Sequence, residues 1–423
     1  MPAVFATLDA WLAYIESQHS RPIDLGLERV VKVRDALGAV TSARVITVGG
    51  TNGKGSTCAM LEAILRAAGY RVGVYSSPHL LRYNERVRVE GMEVGDEALC
   101  TAFAAVEAAR GDTSLTYFEY GTLAAWWLFC QQGLDVIVLE VGLGGRLDAV
   151  NAIEPDCSIV TGVALDHMDY LGDTREKIGF EKSGIFRAEK PAVCGDPNPP
   201  QSLLEHARAI GAQLWVQGRD FGYSGDKTQW NYRGRAQNRH SLAYPALRGA
   251  NQLLNAATVL AALESLQACL PVSMQAVREG LMHVEIPARF QILPGKPPVV
   301  LDVAHNPQAA GVLAENLLSM GFYRETWAVC GMLSDKDIAG TLRHLLPRID
   351  HWLLCDLQGP RAATASMLKD VLRGAGCQAE IVCLDSPAGA LQVARERAGE
   401  GDRIVAFGSF LTVAGVMQAL AVK

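Results

Sequence analysis

The chain has 423 residues, 49% of them hydrophobic and 20% charged, with a formal net charge of −6. At roughly 150 residues per domain this length predicts two or three domains with sizeable cores. The acidic balance excludes a global basic field of the kind that binds nucleic acid or an anionic membrane. The ten cysteines are scattered and no pair has C-x-x-C spacing. That spacing indicates no zinc cage, and in so long a chain it points to reduced thiols rather than a disulfide framework.

The first residues, MPAVFATLDAWLAYIESQ, lack a basic stretch followed by an apolar core and a cleavage site. The apolar run LAAWWLFC (123–130) is far short of the roughly 20 residues needed to span a bilayer. A soluble, cytoplasmic protein is expected. Short apolar runs then alternate with segments of helical period, the pattern of βαβ units and a mainly parallel sheet. Strands are predicted at RVITV (44–48), RVGVYS (71–76), DVIVLEV (135–141) and CSIVTGVAL (157–165). Between the first two, STCAMLEAILRAAG puts apolar residues at 60, 61, 64, 65 and 68 on one helical face, with Gly69 suited to the C-terminal cap. Segment 219–245 is basic, aromatic and aperiodic. It reads as a small β excursion with solvated charges, the alternative being a nucleic-acid surface. IPARFQILPGKPP (286–298) holds four prolines and a glycine and is the predicted interdomain linker. A second αβ series follows, with strands at 298–304, 326–332, 351–356, 379–384 and 403–409.

The chemistry begins at GTNGKGSTC (50–58), which follows a strand and opens a helix. In that context glycines let backbone N–H groups face phosphate oxygens, and the helix N-terminus favours an anion. Lys54 adds positive charge and the Ser56 hydroxyl suits Mg²⁺, although Gly55 separates the two where the common phosphate loop has them adjacent. Ser77, Glu140, Asp166 and His167 end other apolar runs. In an open parallel sheet, ligands bind at the carboxyl ends of strands, so Ser56, Ser77, Glu140 and His167 form a candidate metal site. Each residue taken singly has a plain structural role as a cap, a turn or a satisfied core group. LDVAHNP (301–307) repeats the pattern in the second half, with Asp302 and His305 at a strand end and Asn306 capping a helix opened by Pro307. Two such clusters suit a two-domain enzyme closing over one cleft.

GTNGKGS, SSPHL (76–80), YFEYGTLAA (117–125), LEVGLGGRLDAVN (139–151), ALDHMDYLG (164–172), EKSGIFR (181–187), ARFQ (288–291) and LDVAHNP occur in this order. Together they resemble the folylpolyglutamate synthase family, including its bacterial bifunctional dihydrofolate synthase members, over nearly the whole chain. GTNGKGS alone is shared with Mur peptidoglycan ligases. The resemblance implies an α/β protein with an N-terminal P-loop ATPase-like domain, mainly parallel in its sheet, and a C-terminal Rossmann-like domain. The implied boundaries are 1–287 for ATP and pterin binding, 288–297 for the linker and 298–423 for the glutamate ligase domain.

The implied activity is ATP-dependent addition of L-glutamate to dihydropteroate and to reduced folates through an acyl phosphate, in a monomer with neither nucleic-acid nor membrane partners. Carried onto this sequence, the resemblance places Asn52, Gly53, Lys54 and Gly55 on the ATP phosphates and Asn255, Arg289 and Asp302 on ATP. Ser56, Ser77, Glu140 and His167 match metal positions, and Lys182 matches a carbamylated lysine that helps hold a second Mg²⁺. Lys54, Lys182 and His305 are the implied catalytic residues, His305 by orienting a phosphate. Ile23, Asp24, Leu25, Thr116, Tyr117, Phe118, Glu119, Leu147, Asp148 and Ala149 match dihydropteroate-binding positions. By residue type alone, Lys182 is a solvated helix lysine, and Tyr117 and Phe118 are core aromatics. The alternatives are a folylpolyglutamate synthase without the dihydrofolate synthase activity, a Mur-type muropeptide ligase and a nucleotide-binding switch.

Overall fold

A computed structural model describes residues 5–226, 228–249 and 251–421. Residues 1–4 of the N-terminal segment and Lys227 of the basic segment lie outside the described residues. The chain divides into two compact units, Met1–Ala246 with Leu253–Val284, and Leu247–Gln252 with Glu285–Lys423.

The first unit is built on an eight-stranded sheet. Its strands are β1 (Arg44–Gly49), β2 (Val72–Tyr75), β3 (Val87–Val89), β4 (Met92–Glu93), β5 (Val136–Glu140), β6 (Cys157–Val160), β7 (Pro191–Cys194) and β8 (Gln213–Val216), in the spatial order β4-β3-β2-β5-β1-β6-β7-β8. From β2 to β8 the neighbours are parallel, and β3 and β4 add an antiparallel edge. The central strands are mainly apolar because helices cover both faces, and every position of β5 and every position of β1 after Arg44 is buried, Thr47 and Glu140 included. Strand order reverses at β1, where the chain leaves toward β2 on one side and β6 lies on the other, the place where open α/β sheets bind ligands. The core includes Trp11, Phe103, Tyr120 and Phe129.

The expected strand 157–165 ends at Val160, since Thr161–Ala164 leave the ladder for bonds to the loop after β1. β7 and β8 are not among the predicted strands; they are four-residue runs bounded by proline or glutamine. The helix after β1 spans Lys54–Ala67, beginning two residues before the expected segment that starts at Ser56, with Gly69 left-handed just beyond its end.

The basic segment folds as a three-stranded antiparallel sheet of β9 (Gly222–Gly225), β10 (Gln229–Arg233) and β11 (Asn238–Ala243). Trp230, Tyr232 and Leu242 are its buried apolar side chains, Arg239 is buried with them, and Tyr232 Oη donates to Glu264 at 2.7 Å. Phe221, Trp230 and Tyr232 therefore form core, while Tyr223 and Tyr244 stay exposed.

The second unit holds β12 (Gln291–Leu293), β13 (Val299–Leu301), β14 (Thr326–Cys330), β15 (His351–Cys355), β16 (Glu380–Leu384) and β17 (Arg403–Phe407), ordered β12-β13-β17-β14-β15-β16. β12 lies inside the proline-rich segment and pairs antiparallel with β13, while the remaining neighbours are parallel. Val300, Ala328, Trp352, Leu354 and Phe407 sit in its core. Among the described residues no helix is long and apolar enough to cross a membrane.

Candidate active site

The loop between β1 and the helix Lys54–Ala67 turns on glycines at two points. Gly50 has φ +137°, and a Cβ there would meet Thr161 Oγ1 at 1.9 Å. Gly53 has φ +92°, and its Cβ would meet Asn255 Oδ1 at 2.7 Å. Only glycine tolerates both the backbone angle and the approach. Asn255 thereby packs on the loop from the helix Gln252–Ser265.

Two lysines converge on one carbonyl. Lys54 Nζ donates to Gly50 O at 3.2 Å and to Thr51 O at 3.4 Å, and Lys182 Nζ donates to the same Gly50 O at 3.1 Å. Lys182, at the end of the helix Arg175–Ser183, is 4% exposed. Burial first, and the Lys54 charge second, bring its amine down to about 7, against the opposing pull of Asp166 and Asp148. The lysine that residue type alone assigns to solvent is thus buried and poised between charged and neutral forms at neutral pH. A neutral amine is the nucleophilic form, the one that can add to carbon dioxide.

Glu140 is the last residue of β5, buried, in register with Val48 of β1, and its Oε2 accepts the Ser77 N–H at 3.3 Å. Ser56 is buried in the first turn of the helix that opens at Lys54. His167 follows the 161–164 stretch in a left-handed conformation, φ 50°, with its N–H donating to Asp166 Oδ1 at 2.9 Å. Among the described residues no three of His, Cys, Asp and Glu cluster as a metal group. The expected donor set has only two residues of those types, the rest being hydroxyls and a lysine. Hydroxyl and carboxylate oxygens beside a phosphate loop are donors that a hard cation such as Mg²⁺ accepts while keeping waters and phosphate oxygens. The buried carboxylate at the strand end fits that demand.

The expected pterin residues also meet within the first unit. Arg29 Nη1 contacts Asp24 Oδ2 at 2.6 Å and Arg29 Nη2 contacts Glu119 Oε1 at 2.8 Å, so one guanidinium joins segment 23–29 to the helix Tyr117–Gln131. Thr116 and Glu119 form a capping box at that helix start, with N–H···O distances of 3.2 and 2.7 Å. Gly26 N donates to Leu147 O at 3.3 Å, bringing in the 147–149 turn and leaving Ile23 and Leu25 half-buried. Phe118 lies against Gly142, where a Cβ would come within 2.5 Å of the ring. Asp148 caps the turn holding buried Ala149 by accepting from Leu143 N at 2.8 Å and Val150 N at 3.0 Å, and burial lifts its carboxyl to about 6. Tyr117 is raised to about 12 by burial, with the Arg86 guanidinium 5.5 Å from its ring centroid.

In the second unit, Asp302 follows β13 and accepts from Phe290 N at 2.9 Å and Ala304 N at 2.8 Å. Burial raises its carboxyl, and Arg289 is among the groups opposing that rise. Arg289 lies between Ala288 and Phe290, which both have positive φ, and its Cζ is 5.1 Å from the Phe410 ring centroid. His305 Nδ1 is 2.8 Å from Val303 O, and since a carbonyl only accepts, Nδ1 carries the proton. Asn306 accepts from Ala309 N at 3.0 Å and caps the helix opened by Pro307.

Arg86, Thr51 and Thr161 stand out in the structure although they are absent from the predicted site residues, while Arg29 closes the stretch IDLGLER (23–29) that matches the dihydropteroate-binding positions. Thr161 was hidden inside the predicted strand, and the others show their partners only once distant segments meet.

The Mur ligase middle domain matches residues 48–262, and the Mur ligase glutamate ligase domain matches residues 288–410. The dihydrofolate synthase/folylpolyglutamate synthase of Escherichia coli (strain K12) is 49% identical over 420 residues, 99% of this chain and 97% of that protein. The solved structure of E. coli FolC in complex with DHPP and ADP superimposes with a TM-score of 0.94 at 48% identity, covering 100% of this chain and 99% of that one. A bifunctional folylpolyglutamate synthase/dihydrofolate synthase with Mn, AMPPNP and L-glutamate bound superimposes with a TM-score of 0.92 at 46% identity, covering both chains fully at 100%. With such identity over its whole length and a two-domain match to the Mur ligases, this chain belongs to the dihydrofolate synthase/folylpolyglutamate synthase family.

Proposed function

We propose that the chain is an ATP-dependent ligase that adds L-glutamate to dihydropteroate and to reduced folates bearing one or more glutamates. The observation that carries this reading is the convergence of Lys54 and Lys182 on Gly50 O, together with the buried carboxylate of Glu140 at the end of β5. The binding of ADP, AMPPNP, Mn, DHPP and L-glutamate by family members supports it. A carboxylate is a poor electrophile, so an oxygen of the acceptor carboxylate attacks the γ-phosphorus and ADP leaves. The glutamate amine then attacks the carbonyl carbon of the acyl phosphate, loses a proton and expels phosphate. The protein mainly neutralises charge and positions the reactants.

In this reading Asn52, Gly53, Lys54 and Gly55 cradle the ATP phosphates, while Asn255, Arg289 and Asp302 complete the ATP contacts and His305 orients a phosphate. Ser56, Ser77, Glu140 and His167, with Lys182 as its carbamate, hold two Mg²⁺ ions. The metal supplies charge neutralisation on the phosphate oxygens when bound. Residues 23–25, 116–119 and 147–149 hold the pterin. Residues 1–287 and 298–423 act as the two functional domains, with the expected linker 288–297 contributing β12 to the second, in a cytoplasmic monomer.

The test is ADP release and product mass with ATP, Mg²⁺ and L-glutamate, using dihydropteroate and tetrahydrofolate as separate acceptors. One glutamyl unit on dihydropteroate together with extension of the folate is expected. Extension of folate alone removes the pterin assignment, and turnover of neither acceptor overturns the reading.

A further inference from the structure

The loop after β1 and the segment after β6 are laced together by two threonine hydroxyls. Thr51 Oγ1 donates to Ala164 O at 3.1 Å and accepts from Ala164 N at 3.0 Å, so one hydroxyl satisfies both backbone groups of a residue 113 positions away. Thr51 N donates to Gly162 O at 2.8 Å. In the reverse direction, Thr161 Oγ1 donates to Asn52 O at 2.7 Å, and Thr161 N donates to Gly49 O at 3.0 Å. The Thr161 hydroxyl fills the place a Cβ on Gly50 would take.

The far side of the same segment is clamped as well. Arg175 Nε donates to Val163 O at 2.9 Å, Val163 N donates to Asp196 Oδ2 at 3.0 Å, and Arg175 Nη2 pairs with that oxygen at 2.8 Å. Residues 161–164 are therefore held between the phosphate loop and an arginine–aspartate pair, and His167 follows three residues later. Valine at position 51 would preserve the shape of threonine and its backbone bond to Gly162. It would leave the Ala164 N–H and C=O without their side-chain partner.

We infer that Thr51 is a positioning residue whose hydroxyl sets the register between the phosphate loop and the His167 segment, coupling nucleotide binding to metal binding. This inference rests on the ligase reading above. Parent protein that fails to bind MgADP would overturn that reading, whereas the comparison of variants tests the coupling. The experiment measures ADP affinity calorimetrically with and without Mg²⁺ for the parent, Thr51→Val and Thr51→Ser. Amide exchange over 163–168 and thermal midpoints are recorded on the same samples.

Two neutral hydrogen bonds are lost in Thr51→Val, so its MgADP affinity should fall roughly tenfold. Metal-free ADP affinity should change less, because the backbone bond to Gly162 still holds the loop. The Ala164 amide should exchange faster, and MgADP should no longer protect 163–168. Thr51→Ser should restore all three. Arg175→Lys, at a partly exposed side chain, loosens the same segment from its other side and should reduce the Mg²⁺-linked gain in ADP affinity. That second variant decides the matter if Thr51→Val does not fold. An undiminished Mg²⁺-linked gain in whichever variant folds, or equal failure of Thr51→Ser and Thr51→Val, overturns the inference.

Discussion

Replacing Lys182 by methionine should stabilise the protein while removing its ligase activity. Folding takes an ammonium from water to a site 4% exposed, where its pKa drops from 10.5 to about 7. At about 1.36 kcal/mol per pH unit, a drop of 10.5 − 7 = 3.5 costs about 5 kcal/mol in the charged form. Methionine keeps the length and apolar volume of the side chain and carries no charge. It forgoes the bond from Nζ to Gly50 O, worth roughly 1 kcal/mol, but that carbonyl retains Lys54 Nζ as a donor at 3.2 Å. The net gain is about 4 kcal/mol.

The sign depends on pH. Below about pH 7 the lysine is charged in both folded and unfolded states, and the whole penalty is present. Between about 7 and 10.5 the folded state holds the amine neutral while the unfolded chain holds the proton, so the parent's stability rises with pH. The assay is urea unfolding of parent and Lys182→Met in carbon dioxide-free buffer at about pH 6, 7.5 and 9. The methionine variant should be the more stable by about 4 kcal/mol at the lowest pH, with the gap closing steadily as pH rises. A gap independent of pH, or a less stable variant at pH 6, would refute the argument from burial. Bicarbonate near pH 8 should raise the thermal midpoint of the parent and leave that of the variant unchanged, through carbamate formation.

Lys54→Ala should abolish ATP-dependent product formation, because it removes phosphate-directed charge from the loop; mass spectrometry of the product is the check, and retained turnover removes the loop assignment. Glu140→Gln keeps the shape of a buried strand-end side chain but removes its charge, so the Mg²⁺ concentration for half-maximal activity should rise by tenfold or more, and an unchanged titration would remove Glu140 from the metal site. Gly53→Ala sets a Cβ 2.7 Å from Asn255 Oδ1 at φ +92°. The backbone strain alone costs about 1–3 kcal/mol, so ADP binding measured by calorimetry should weaken at least several-fold.

Much of the fold was legible because its signals are local. A central strand buried on both faces is mainly apolar, and RVITV, DVIVLEV and most of the second αβ series show that pattern within a few residues. A phosphate loop likewise declares itself through glycines between a strand and a helix, since the positive φ angles at Gly50 and Gly53 are a local demand on residue type. The aperiodic segment 219–245 similarly reads as a β excursion. By contrast β7, β8 and β12 are short runs of three or four residues beside proline or polar residues, and parallel neighbours or an antiparallel partner make them strands.

The chemistry of Lys182 was decided by the tertiary structure. Its sequence neighbours, Glu181 and Ser183, describe an ordinary helix end. The helix packing buries the amine near Lys54 and against Gly50 O, and desolvation is a property of the whole enclosure rather than of any short segment. Thr51, Thr161 and Ala164 show the same division. Strand, loop and glycines are written locally, whereas a hydroxyl acquires its partners only when β1 and β6 lie side by side.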